Sequence, residues 1–198
     1  MTVDIDTLLA MGAAYKKAVA GEVIFNEGAN CSFYYQVESG SVRWVNIDEE
    51  GNEFIQNIVE AGECFGEMPL FDDLPYAATA IAETDSVMLR LHRSQFHQLI
   101  TERPDIHLTF SKLMAERLRF KFMLLKELAK HNPEHSVSTL LQYLKKHRKN
   151  ICTKCNKVML TRQQIANMTG LRVETVIRAI RHLHDKGELN IQKGKVYC

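Results

Sequence analysis

A chain of 198 residues, 45% of them hydrophobic, is long enough for two small domains with real cores. It has no run of 18 apolar residues and no basic segment ahead of the short apolar stretch in MTVDIDTLLAMG, so neither a membrane span nor a signal peptide is expected. The net charge of +1 hides a division: residues 132–198 hold 13 Lys and Arg against 4 Asp and Glu, whereas residues 1–131 hold 12 against 20.

Residues 4–12 fit a short amphipathic helix. From residue 17 to 91 the texture is that of strands: VIF, FYYQV, SVRWVNI, EFIQNIV, TAIA and VMLRL, punctuated by glycines, with DEEGNE as a hairpin turn. Many short strands at regular spacing predict a small barrel or roll. Residues 94–101 read as a short helix. A long helix follows over residues 105–130, with Pro104 at its start and no Gly or Pro inside. Its apolar stripe (Ile106, Phe110, Leu113, Met114, Leu118, Phe122, Leu125, Leu128), widened by Phe120 and Leu124, exceeds what one roll could cover. A helix of about 39 Å at 1.5 Å per residue is therefore expected to pack on its twin in a dimer, through Phe110, Met114, Leu118, Phe122 and Leu125, the alternative being a core helix of the same chain.

Asn132-Pro133-Glu134 supplies an N-cap, an N1 proline and an early acid, so a new helix starts there and a hinge is expected at residues 130–132. Val137, Leu140, Leu141 and Leu144 then face inward. Residues 150–159 are expected to form a small hairpin around Thr153-Lys154. In LTRQQIANMTGLRVETVIRAIRHL, Thr161 and Gln164 make a capping-box pattern, and Gly170 supplies a tight turn. Val176, Ile180 and Leu183 bury the second helix and leave Arg172, Val173, Glu174, Ile177, Arg178 and Arg181 exposed. A short helix, a glycine turn and a helix with a polar, basic front are the pattern of a DNA-reading helix-turn-helix. The second hairpin, through Gln192-Lys193-Gly194-Lys195, completes a winged version, with its lysines suited to phosphate. A C-terminal surplus of +9 beside an N-terminal deficit of −8 fits a nucleic-acid binder joined to a module that does not touch phosphates. The alternative is an ordinary helical hairpin with solvated charges.

The segments Gly21-Glu22-Val23-Ile24-Phe25 with Glu27-Gly28, Tyr35 through Val42, Phe65-Gly66-Glu67, and Thr161 through Val176 occur in an order that resembles the Crp/Fnr family of bacterial transcription regulators over essentially the whole chain. The resemblance implies an α+β fold. A double-stranded β-roll of the cyclic-nucleotide-binding kind spans residues 1–104, a dimerisation helix and hinge 105–131, and a winged helix-turn-helix 132–198. It implies double-stranded DNA, a second copy of the chain and RNA polymerase as partners, and a cytoplasmic location. Val173, Glu174 and Arg178 would read bases, in a half-site of the TTGAT kind rather than TGTGA. Arg162, Arg172, Arg181 and Lys193 would hold phosphates.

The ligand cassette departs from the cyclic-AMP branch of that family. Gly66 and Glu67 are present, but the Arg-Ser pair that holds the cyclic phosphate falls on Ala77 and Ala78, and the adenine-contacting Thr falls on Lys121, beside Phe122. A buried phosphate without a guanidinium lacks its bidentate partner, so control by cyclic AMP is not expected. Gly66, Glu67, Tyr76, Ala77, Ala78, Lys121 and Phe122 delimit an effector pocket whose occupant, and any cofactor, the sequence does not name; the apolar Tyr76-Ala77-Ala78-Thr79-Ala80 cassette either accepts a hydrophobic effector or is filled by the protein's own side chains.

The five cysteines (Cys31, Cys64, Cys152, Cys155, Cys198) form no disulfide framework, and none precedes Cys31 to ligate iron–sulfur as in the redox branch. Cys152-Thr153-Lys154-Cys155 has the spacing of half a zinc site, with His147 and Cys198 as completions. A thiol switch and a plain turn with two free thiols are the other readings. No metal site is assigned, since the eight histidines show no ligand spacing. Without GxSxG, a P-loop or a dinucleotide turn, an enzyme is not expected. The alternatives to a DNA-binding regulator of the expected kind are a cyclic-nucleotide-binding-like module acting on a protein partner, and a thiol-responsive regulator working through Cys152 and Cys155.

Overall fold

The computed structural model describes residues 2–130 and 132–198. The chain divides into two compact units, Met1–Ala115 and Glu116–Cys198. In the first, α1 (Ile5–Ala10) precedes β1 (Ala14–Ala18), β2 (Val23–Phe25), β3 (Phe33–Ser39), β4 (Ser41–Ile47), β5 (Glu53–Glu60) and β6 (Cys64–Phe65). After them come α2 (Pro69–Asp72), β7 (Thr79–Ala82), β8 (Ser86–His92), α3 (Arg93–Glu102) and the start of α4 (Pro104–Ala129). The strands form two antiparallel sheets, ordered β1-β8-β3-β6 and β2-β7-β4-β5. This is the expected roll, and all six expected strands are present. The DEEGNE turn is closed by Asp48, whose carboxylate accepts from the backbone N–H groups of Glu50 (3.0 Å) and Asn52 (2.8 Å). The edge strand β1, the two-residue β6 and α2 had no counterpart in the expected elements.

Strand β3 explains why helices cover the roll. Its residues Tyr34 to Val37 are all buried, so both faces of the strand are covered. Tyr34 stacks on Phe96 of α3 at 5.1 Å and meets Phe110 of α4 edge-on at 5.7 Å. The buried amide of Gln36 accepts from Tyr34 Oη (2.7 Å) and the Val3 N–H (3.0 Å), and donates to the Val3 carbonyl (2.7 Å). A buried polar group is stable only when paired in this way.

The second unit holds the rest of α4, then α5 (Pro133–His147), α6 (Arg162–Thr169), α7 (Val173–Asp185) and the hairpin β9 (Asn190–Gln192) with β10 (Lys195–Tyr197). Asn132 caps α5 as expected, accepting from the His135 N–H at 3.1 Å. Val137, Leu140, Leu141 and Leu144 face inward, onto a core that includes Ile165, Met168, Val176, Ile180 and Leu183. The expected 150–159 hairpin is closed by one antiparallel bridge, Ile151 with Val158, rather than by two strands. The expected hinge includes His131, which, like the side chain of Leu128, lies outside the described residues.

Helix α4 carries three stripes where the sequence suggests one. Ile106 and Phe110 are buried in the first unit. Phe120 and Leu124 are buried in the second, with Phe120 stacked on Tyr143 at 4.3 Å. The third stripe is uncovered: Leu108, Leu118, Phe122 and Leu125 are between 54% and 61% exposed. With Ser111, Ala115 and Ala129, also exposed, they recur in alternating steps of three and four, the heptad spacing of a coiled-coil seam. Two expected seam residues are therefore corrected. Phe110 is fully buried against Tyr34, Phe71 and Phe96, and Met114 is half-buried beside Phe71, so neither belongs to the uncovered stripe. Among the described residues, no helix is long and apolar enough to cross a membrane.

Candidate nucleic-acid interface

Local chemistry sets both helices of the turn motif. Thr161 Oγ1 accepts from the Gln164 N–H (3.1 Å), and Gln164 Oε1 accepts from the Thr161 N–H (2.7 Å), a complete capping box for α6. Gly170 ends α6 at φ +65°, a left-handed conformation that glycine adopts without a Cβ clash. Helix α7 starts three residues later and buries Val176, Ala179, Ile180 and Leu183.

Burying that stripe turns the opposite face of α7 outward. Glu174, Arg178 and Arg181 follow one another at steps of four and three and are all exposed, as is Arg172 just before the helix. Val173 and Ile177, expected to be exposed, are half-buried, because they flank the packed stripe. Among the described residues, Glu174 and Arg178 form no ion pair with each other, although i,i+4 spacing permits one. Three lysines elsewhere in this unit are committed, Lys186 to Glu134, Lys149 to Glu116 and Lys130 to Glu127, and His182 also meets Glu134. Among the described residues, Arg178 and Arg181 of α7 and Lys193 and Lys195 of the wing form no ion pair, and neither do Lys145, Lys146 and Arg148 at the end of α5.

The wing lies beside the start of α6. Arg162 is half-buried, and its guanidinium donates to the Gly194 carbonyl at 3.4 Å. Burial lowers its pKa. Lys193 is exposed at the tip in a left-handed conformation, φ +46°. Lys157, Thr161, Arg162, Gly194 and Lys195 line a groove of about 300 Å³. Lys157 was not among the expected phosphate residues. It reaches the groove because its strand segment pairs with Tyr197 of β10, a link between distant residues that no local pattern announces.

In the first unit the expected effector cassette is filled by the protein's own rings. Phe25 and Tyr76 stack at 3.7 Å and 9°, with Phe65 5.9 Å from Phe25 and Tyr35 5.3 Å from Phe65. A Cβ on Gly66 would fall 2.8 Å from the Phe25 ring, so only glycine fits under this stack. Glu67 is fully buried, its carboxylate 3.8 Å from Cys64 Sγ. Ala78 points inward, with its carbonyl taken by Trp44 Nε1 (3.3 Å). Ala77 is exposed, with its carbonyl taken by Asn46 Nδ2 (2.8 Å). Lys121 and Phe122 belong to the second unit. Lys121 is half-buried, and burial together with neighbouring Arg117 lowers its pKa to about 8, while Phe122 is exposed.

A roll of this kind joined to a winged helix-turn-helix with an open, basic reading helix defines a DNA-binding transcription regulator. Residues 15–103 match the family model described as a cyclic nucleotide-binding domain, and residues 136–197 match that of a Crp-like helix-turn-helix domain. The cyclic AMP receptor protein of Thermus thermophilus is 30% identical over 177 residues, covering 89% of this chain and 79% of that protein. The cAMP-activated global transcriptional regulator CRP of Salmonella typhimurium is 29% identical over 165 residues, covering 82% and 79%. The structure of FixK2 from Bradyrhizobium japonicum superposes with a TM-score of 0.78 at 22% identity, covering 93% of this chain and 91% of that one, a likeness of fold. The chain belongs to the Crp/Fnr family.

The ring stack has a pH signature. Burial raises the pKa of Tyr35, and burial followed by a hydrogen bond with Cys31 raises that of Tyr76. Both phenols stay protonated in the fold after those of the unfolded chain ionise. Their stabilisation is complete below the ordinary tyrosine value of about 10 and declines as pH rises beyond it. In an ultraviolet titration of the folded protein, these two should ionise after freely exposed tyrosine. Tyr76→Phe should remove one late component and flatten the loss of melting temperature above that pH.

Proposed function

We propose that this chain works as a homodimer on an inverted repeat, with Glu174 and Arg178 of α7 reading base edges. The observation that carries this reading is the uncommitted pair itself: a carboxylate and a guanidinium, four residues apart, exposed near the start of a helix and free of each other. A carboxylate accepts from a cytosine amino group, and a guanidinium grips guanine O6 and N7. Val173 packs on a thymine methyl, which favours a TTGAT-like half-site over TGTGA. Arg162, Arg172, Arg181 and Lys193 hold phosphates, and the groove adds Lys157 and Lys195. The uncovered heptad stripe of α4 supplies the dimer contact, which places two reading helices about one DNA turn apart. RNA polymerase is the partner through which such a factor acts. The cassette, filled by Phe25 and Tyr76 and carrying alanines at the Arg-Ser positions, supports a regulator that cyclic AMP does not control.

Selection from a random duplex pool should enrich TTGAT-like palindromes with wild type, and Val173→Arg should shift the preference toward TGTGA. An unchanged preference would remove Val173 from the base-reading set. Leu118→Glu puts an unpaired carboxylate in the seam, at a cost of several kcal/mol. The variant should be monomeric by light scattering and lose operator binding; a dimer that still binds would overturn the seam. Cyclic AMP at millimolar concentration should leave both melting temperature and DNA affinity unchanged, since a ligand stabilises only the state it binds.

A further inference from the structure

The Cys152–Cys155 turn has no part in the proposed base contacts, yet through Lys157 it adjoins the groove that would hold phosphate. Its backbone is fixed at both ends. The Cys152 N–H donates to the Lys157 carbonyl (2.8 Å), the Asn156 N–H to the Cys152 carbonyl (2.9 Å) and the Met159 N–H to the Asn150 carbonyl (2.9 Å). Residues three apart in a tight turn have Cα atoms within about 7 Å, close to the roughly 4.4–6.8 Å that a disulfide spans. Half a zinc site finds no completion: among the described residues, no three His, Cys, Asp or Glu are placed to hold a metal ion. His147 is engaged with Glu116 and stacked on Tyr143.

We propose that Cys152 and Cys155 are a peroxide-sensitive dithiol whose closure to an intramolecular disulfide strengthens DNA binding through the strand segment that carries Lys157. This rests on the reading of the second unit's basic groove as a phosphate site. Cys152 is the nucleophile. Hydrogen bonds from the Cys155 thiol and from the Lys154 and Cys155 N–H groups, with the charge of Lys157, favour its thiolate. Cys155 is exposed and resolves. Cys198 shares a cavity of about 510 Å³ with Cys155, but burial raises the pKa of its thiol, which keeps it a bystander.

The steps balance. The Cys152 thiolate attacks one oxygen of a hydroperoxide, the O–O bond breaks, and the departing oxygen leaves as water or alcohol after taking a proton. The Cys155 sulfur then attacks the sulfenic sulfur of Cys152, and the expelled hydroxide leaves as water with the Cys155 proton. Two thiols have lost two electrons to the peroxide. The coupling to DNA is electrostatic and local. Lys157 pairs with Tyr197 of the wing and lines the groove with Arg162 and Lys195, and the Val158 N–H donates to the Val196 carbonyl at 2.9 Å. The backbone pairing of Cys152 with Lys157 sets the two residues side by side, and the charge of Lys157 helps favour the Cys152 thiolate; in the disulfide that negative charge cannot form and Lys157 is free to meet phosphate.

The test uses the full chain, reduced and then treated with hydrogen peroxide, with peptide mapping of the linkage and titration of a selected operator duplex. A Cys152–Cys155 disulfide should form, and affinity should rise about fivefold at low salt, with the gap narrowing as salt screens it. Cys152→Ser and Cys155→Ser should abolish the rise, and Cys198→Ser should keep it. Lys157→Gln should form the disulfide without the rise. No disulfide, a linkage through Cys198, or a disulfide with unchanged or weaker affinity overturns the proposal. Absence of DNA binding in both states overturns the phosphate-site reading, whatever the mapping shows, and the proposal with it.

Discussion

A helix of 26 residues that must bury one stripe in each of two compact units, and keep a third uncovered, has little freedom left in its sequence. Each position of α4 answers to one of these demands. Phe110 fills the space between Tyr34 and Phe96, and Phe120 does the same service against Tyr143. Polar residues serve too: Glu116 reaches His147 and Lys149, and the buried Glu127 is matched by Lys130 and His135. The apolar residues left in water, leucine and phenylalanine at heptad spacing, are the ones the proposed dimer would bury.

The winged unit follows a different economy, one of charge. Its acidic residues are few, and most are engaged where they hold helices together: Glu134, at the start of α5, accepts from both His182 and Lys186 of α7 and its end. Ion pairing there tethers the back of the reading helix to α5. The front is left unmatched. Pairing Glu174 with Arg178 would gain only a few tenths of a kcal/mol, and under the proposed base reading it would have to be undone on meeting a base pair.

Much of the fold was legible because its signals are local. The capping box of Thr161 and Gln164, the left-handed Gly170 and the alternation in β4 each depend on residues within a few positions. What was not legible arises between distant parts. β6 has two residues and therefore no period to detect, and β1 carries two lysines in five residues, which protect an edge but hide a strand. The seam was misread at Phe110 and Met114 because three superposed stripes have no single periodicity. In the candidate site, Arg178 and Glu174 could be placed from the buried face of α7 alone. Lys157 could not, nor could the identity of the rings that fill the cassette, since Phe25 comes to Tyr76 from another strand.

Electrostatics this lopsided act before contact. A duplex is a line of negative charge, so a chain with a surplus of +9 in residues 132–198 and a deficit of −8 in residues 1–131 is sorted as it approaches. The basic part is drawn in and the acidic part is pushed away, which biases early collisions toward those that present the C-terminal residues. Cations not tied to carboxylates can release counterions from DNA of any sequence, so the first association is loose, mobile and strongly dependent on salt. Sliding along the duplex then becomes the means of search, and the rate of finding a site is set by ionic strength before any base is read.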